Sequence, residues 1–200
     1  MDADAAPKRT SLTHPIDVLW VDTAAFGGPG RLGLSYAPGK KGRAPASGIE
    51  WDRDLTADLE RLAEVHRVDV LVSLMEPFEY EELGIPDMLH EVAQRGIEVV
   101  HLPIVDGQAP QPEQAQAVKT VLASARGALS AGRNVVIHCR GGQGRTGMLA
   151  AALLATYGHD AHAAIDIVRA AQPRAVESQV QQAYVESVAL DSARSGPAAR

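Results

Sequence analysis

The chain holds a single cysteine, Cys139, among 200 residues. No intramolecular disulfide can form, so a reducing compartment is the expected setting. Aromatic residues make up only 4% of the chain, against 46% apolar residues in all. The core must therefore be filled mainly by Ala, Leu and Val, and there is enough of it for one domain. Basic residues are outnumbered, and the formal net charge of −6 excludes a global nucleic-acid footprint. No apolar run can span a bilayer: the longest, around residues 148–156, falls far short of the roughly 20 residues needed. Residues 1–15 are polar and lack the apolar stretch of a secretory leader. His159 and His162 have no Cys or carboxylate pattern around them that suits a metal, and no internal repeat is visible. The expectation is a soluble, cytoplasmic protein with no nucleic-acid, membrane, metal or cofactor partner, and a monomer.

What is present alternates between strand-like and helix-like segments. Apolar runs at residues 16–21, 68–74, 98–102 and 135–137 read as strands. Leu55, Leu59, Leu62 and Val65 recur at helical spacing, with Asp52 as a possible cap. A helix opening at Pro86 and ended by Gly96 is expected next. A long helix over residues 113–131 carries Ala117, Val118, Val121, Leu122 and Ala125 on one face, and Gly132 ends it. Three more follow, opening near Thr146, Asp160 and Ser178, the last with Val180, Tyr184 and Val188. Strands alternating with helices imply right-handed crossovers. The expected fold is therefore a single α/β domain over residues 15–190, with a mostly parallel central sheet flanked by helices. Disordered tails are expected at 1–14 and 191–200. Residues 24–48, crowded with Gly and Pro, read as a long irregular loop.

The strand at residues 135–137 runs directly into His138-Cys139-Arg140-Gly141-Gly142-Gln143-Gly144-Arg145-Thr146. Glycines let such a loop curl so that successive N–H groups converge on an anion. The helix that follows adds its N-terminal partial positive charge at the same place. Arg145 offers a planar fork matched to phosphate oxygens. All three favour the ionised form of the Cys139 thiol, and the same donors bind a phosphoryl group and stabilise it during in-line transfer. A leaving oxygen needs a proton. Asp106 is the candidate donor: it sits in a loop that Pro103, Gly107 and Pro110 keep irregular, 33 positions before Cys139. Adjacent parallel strands would bring both loops to one edge. Glu76, Asp87 and Glu113 are fallbacks, each equally readable as a helix cap or a solvated surface group.

These residues resemble the signature of the protein tyrosine phosphatase superfamily, His-Cys-(five residues)-Arg-Ser/Thr, in its dual-specificity branch. The segment Pro103-Ile104-Val105-Asp106-Gly107 and the stretch Pro173-Arg174-Ala175-Val176-Glu177-Ser178, with Gln181, are similar to the kinase-associated phosphatase (cyclin-dependent kinase inhibitor) group and its bacterial relatives. The likeness runs over roughly residues 32–188, but only the Cys139 and Asp106 loops are specific. It implies a phosphatase acting through a phosphocysteine intermediate on phosphotyrosine, with phosphoserine or phosphothreonine of proteins, or a small phosphate ester, as further substrates. It also implies roles: Cys139 as nucleophile, Arg145 as phosphate clamp and Asp106 as acid. Thr146 would donate a hydrogen bond to the sulfur, His138 would hold the loop, and Arg140, Gly141, Gly142, Gln143 and Gly144 would line the substrate cup. The branch often has Ala where Gly142 stands and Ser where Thr146 stands; neither change removes a needed group.

Two other functions use similar parts. A rhodanese-type sulfurtransferase also has a Cys loop, but usually a tighter one and no upstream acid. A phosphate-binding module without catalysis typically lacks the Cys, the Arg or the acid. Around the loop, Arg140 reads either as a rim cation or as an ordinary surface residue. The basic island at residues 39–43 lacks nucleotide-loop spacing and reads either as an ordinary solvated loop, the preferred reading, or as a flank of the site that attracts anionic substrate. Glu177-Ser178 reads as the cap of the last helix.

Overall fold

The computed structural model describes residues 8–43 and 48–195. The chain opens with β1 (Lys8–Arg9) and β2 (Leu19–Trp20), followed by β3 (Leu32–Tyr36), β4 (Lys41–Arg43) and β5 (Glu50–Asp52). Helix α1 (Leu55–Glu60) continues into a wide π turn at Arg61–Val65. Next come β6 (Val70–Ser73), α2 (Pro77–Glu82), α3 (Met88–Gln94) and β7 (Glu98–His101). The second half holds α4 (Ala115–Ser130), β8 (Val135–Cys139), α5 (Gly144–Ala155), α6 (Ala161–Ala171) and α7 (Gln179–Ser195).

Five strands form the main sheet in the order β2-β3-β8-β6-β7. Only β2 runs antiparallel to its neighbour; β3, β8, β6 and β7 are parallel. The α/β expectation with a mostly parallel sheet therefore holds. Strand β8 is central and buried along its whole length, as its unbroken apolar run requires when helices cover both faces. On one face α4, α5, α6 and α7 enclose the larger core, which includes Leu34, Val72, Ile137 and Leu153. On the other, α1, α2 and α3 enclose Leu59, Leu71, Tyr80, Met88 and Val136. Helix α5 is buried at every position. Its Ala150, Ala151, Ala152 and Ala155 leave room for close packing on all sides.

Several expectations are corrected. Residues 24–48 are not one irregular loop: they contain β3, which pairs with β8 from Leu32↔Val135 to Tyr36↔Cys139. Gly33 broke the apolar pattern there. A Cβ at that position would stand 2.3 Å from Val18 Cγ1 and 3.0 Å from the Trp20 ring. The expected tail at 1–14 overlaps the fold, because Lys8 and Arg9 pair with Glu50 and Trp51 and Ser11 Oγ donates to the Asp54 carbonyl at 3.2 Å. Residues 1–7 lie outside the described residues. At the other end α7 runs to Ser195, and 196–200 lie outside the described residues. The cap of α1 is Asp54, which accepts from the Ala57 N–H at 2.7 Å; Asp52 is paired to Lys8 instead. On α7 Val180 is exposed, while Gln181 and Val185 are buried. Tyr184 and Val188 do pack against the core, so of the three apolar residues named for this helix only Val180 faces outward. Helix α2, opened by Pro77, was not anticipated at all.

Candidate active site

Cys139 is the last residue of β8, and α5 begins five residues later. A central parallel strand running straight into a buried helix leaves the intervening loop at the carboxyl edge of the sheet, where such folds bind ligands. The sulfur is 3% exposed and accepts from the Gly142 N–H at 3.3 Å. Gly142 has φ +72°, and a Cβ on it would lie 2.5 Å from the Ser35 carbonyl oxygen. Both the turn and the close approach to β3 require glycine. Gly144 is needed for a different reason: its Cβ would meet the Glu177 carboxylate at 2.3 Å and the Gln181 amide at 2.9 Å.

His138 is fully buried, with Nδ1 donating weakly to the Cys139 carbonyl oxygen at 3.4 Å. Burial pulls its pKa down to about 4, so the ring is neutral at physiological pH. The Thr146 hydroxyl is buried and has no hydrogen-bond partner among the described residues. The expected hydroxyl–sulfur bond is therefore not formed in this arrangement.

Arg145 is 1% exposed. Its Nη1 and Nη2 donate to the two carboxylate oxygens of Glu79 at 2.6 and 2.8 Å. Nη1 also reaches the carbonyl oxygens of Ile104 at 2.9 Å and Leu74 at 3.3 Å. Burial alone would lower the guanidinium pKa, but the Glu79 hydrogen bonds together with the negative charges of Cys139, Glu79 and Asp106 outweigh it, and the net shift is upward. Burial likewise pushes Glu79 up, and the bonds from Arg145 and the Glu76 N–H hold it below the usual carboxylate range. Both groups stay charged. Nε of Arg145 has no partner among the described residues, which leaves one donor of the fork for an anion.

Asp106 reaches Arg145 Nη2 at 2.9 Å with a side chain 73% exposed. Its loop is tethered at both ends: Ile104 N–H donates to the Leu74 carbonyl at 3.1 Å, and Ser178 Oγ donates to the Gly107 carbonyl at 2.9 Å. The structure thus brings together Cys139, His138, Arg145, Thr146 and Asp106. Glu76 and Asp87 instead flank the starts of α2 and α3, and Glu113 lies in the turn before α4. Arg140 pairs with Glu82 at 2.6 Å on the rim, with both side chains about half exposed.

Three residues were missed. Glu79 orients Arg145, and its signal was the Glu76-Pro77-Phe78-Glu79 helix start, where Glu79 accepts the Glu76 N–H at 2.8 Å. Glu177 is more than a cap: its carboxylate accepts from the Gly144 N–H, and loss of hydration followed by repulsion from Asp106 raises its pKa. The turn that delivers it includes Val176 at φ +59°, a costly conformation for a β-branched residue. Arg169 holds that turn through the carbonyls of Ala175 and Val176, at 3.0 and 3.1 Å. Lys40, in the supposedly solvated island, is 8% exposed. The sequence offered the island as a flank of the site, but not which of its cations would be buried. A groove of about 1500 Å³ between α4 and the end of α7 contains none of the cup residues.

The chain is 31% identical over 140 residues to cyclin-dependent kinase inhibitor 3 of Rattus norvegicus, a stretch covering 70% of this chain and 61% of that protein. Among solved structures it matches kinase associated phosphatase with its catalytic-site cysteine replaced by serine, at TM-score 0.78 and 24% identity over 89% of this chain and 96% of that one. It also matches Tk-PTP in its active form, at TM-score 0.61 and 32% identity over 80% and 92%. The family model described as a DSP-PTPase phosphatase of polymorphic toxin systems covers residues 47–159, more than half of the chain, and this protein belongs to that phosphatase family.

Proposed function

We propose that the chain hydrolyses phosphate monoesters through a phosphocysteine formed on Cys139. One observation carries the reading. A buried sulfur that accepts a loop N–H sits at the mouth of a buried helix, beside a guanidinium fixed by Glu79 with its Nε unpaired. A phosphate entering the cup takes the Nε–H of Arg145 and the Nη2 that Asp106 now covers. The N–H groups of residues 140–145 hold its equatorial oxygens. Asp106, displaced from the ion pair, carries a proton to the leaving oxygen. The Sγ–P bond forms as the P–O bond to the alcohol breaks. Asp106 then takes a proton from water, whose oxygen attacks phosphorus. The P–S bond breaks, and thiolate and inorganic phosphate are released. Thr146 is the donor for the departing sulfur, and His138 holds the strand end in place.

The substrates of this reading are phosphotyrosine and phosphoserine or phosphothreonine on proteins, and a nucleophilic thiol that must stay reduced suits the cytoplasm. A sulfurtransferase has no use for Asp106 against Arg145, and a binding module has none for a proton donor beside the cup. The test is hydrolysis of p-nitrophenyl phosphate and of phosphopeptides with chelator present. Wild type should turn over, and Cys139→Ser should lose at least about 10⁴-fold. Turnover retained by Cys139→Ser would overturn the mechanism.

A further inference from the structure

Three cations are buried among the described residues: Arg53, Arg145 and Lys40. The two arginines each have a carboxylate. Arg53 forks onto Asp58 at 2.7 Å twice, and Arg145 forks onto Glu79. Among the described residues Lys40 has none. Its Nζ lies 3.9 Å from the centre of the Trp51 ring and 4.6 Å from that of Tyr36. Its one side-chain hydrogen bond among those residues, at 3.4 Å, goes to the carbonyl oxygen of Arg140, the residue next to Cys139. Tyr36 is in turn the register partner of Cys139. The ammonium therefore stands in the wall of the cup.

Its position is fixed by several contacts. Gly39 takes φ +68° with Leu55 pressed against it, and its N–H donates to Asp58 at 2.8 Å. Lys40's own carbonyl accepts the Arg53 N–H, and the next N–H binds the Leu83 carbonyl at 3.0 Å. A buried ammonium is costly unless a negative charge opposes it. The groups facing this one are Tyr36 from β3, Arg53 after β5, Arg9 from β1 and Arg140 and Cys139 from the cup. The arginines repel it, and the aromatic faces offer only a partial compensation. The sulfur is the one group in that set able to supply a full opposing charge.

We propose that Lys40 is a positioning residue that holds Cys139 as the thiolate, acting as its counter-cation from the cup wall. The inference rests on the reading of Cys139 as nucleophile. Burial pulls the Lys40 pKa down to about 8, the Cys139 charge pulling the other way. The partnership therefore weakens as Lys40 loses its proton above neutrality. Substrate phosphate, arriving with further negative charge, keeps Lys40 protonated by the same attraction.

Two measurements test this without depending on turnover. The first is the pH midpoint of Cys139 alkylation by iodoacetamide in wild type, Lys40→Met and Lys40→Arg. Methionine fills the aromatic box without charge and should move the midpoint up by about one pH unit, and arginine should return most of that shift. The second uses the unaltered lysine: side-chain NMR titration of Lys40 in wild type and Cys139→Ser. Reciprocity requires the lysine midpoint to fall by a similar amount when the sulfur is gone. Equal alkylation midpoints in wild type and Lys40→Met, a shift that arginine does not reverse, or an unchanged lysine titration in Cys139→Ser would each overturn the proposal. A wild type that shows the coupling but hydrolyses no phosphate ester would sink the phosphatase reading and leave the ion pair standing.

Discussion

Two loops meet at Arg145, and they are built in opposite ways. The Cys139 loop lies between a wholly buried strand and a wholly buried helix, with β3 pressed against Gly142 and Glu177 against Gly144. The Asp106 loop is a short turn outside the sheet, with its carboxylate largely in water and side-chain tethers to its backbone from Gln114, Arg145 and Ser178. The contrast fits the two tasks. An electrostatic cradle works by being arranged before charge develops, so that nothing reorganises during transfer. In the proposed mechanism the proton donor has to exchange partners, from Arg145 to a leaving oxygen, and an exposed side chain does so at little cost. If this division is right, damage to the acid loop should appear in rate, and damage beneath the cradle should appear first in stability.

Asp106→Asn gives the largest separation. Its turnover of p-nitrophenyl phosphate should fall by about 10²–10⁴-fold and lose the limb of the pH profile that comes from deprotonation of the acid. Its melting temperature should stay close to wild type, because the side chain buries almost nothing. A variant that melted much lower would show the loop to be structural and blur the comparison. Glu79→Ala should behave in the reverse order. It leaves a buried guanidinium without its carboxylate, which costs about 3–5 kcal/mol, readable as a lower denaturant midpoint. Its loss of activity should follow from a misdirected Arg145 and show chiefly as weaker inhibition by inorganic phosphate or vanadate. The smallest effect falls on the Ser178 tether. Ser178→Ala removes one hydrogen bond to the acid loop and one to the start of α7. It should cost about 1 kcal/mol of stability and lower kcat severalfold with KM nearly unchanged. A larger effect on KM than on kcat would place Ser178 in substrate binding instead.

Some of this was legible in the chain and some was not, and the division follows the range of the interactions. Strands such as β6 and β8 announced themselves because burial on both faces demands an unbroken apolar run. The wide loop around Gly142 and the helix start at Gly144 were legible because their constraints are local. β3 was not legible, although it neighbours Cys139, because Gly33 answers to Val18 and Trp20 across the sheet and contributes nothing to its own segment's hydrophobicity. On α7 Tyr184 and Val188 pack against the core as apolar residues do, and Val180 does not. Gln181, wholly buried against the cup and accepting the Glu177 N–H at 2.9 Å, is a polar residue on the core side, which hydrophobicity alone does not indicate.

By itself, then, the sequence determined the glycine-rich Cys139 loop, the fork of Arg145 and the loop that holds Asp106, because each depends on residue types within a few positions of one another. Only the tertiary structure decided that Glu79 anchors the guanidinium, that Glu177 reaches Gly144, and that Lys40 lies buried against the cup. Those three lie 66, 33 and 99 positions from the residues they serve. A charged side chain reads in sequence as a solvated one until the packing of strands and helices shows which charges have been taken out of water, and beside what.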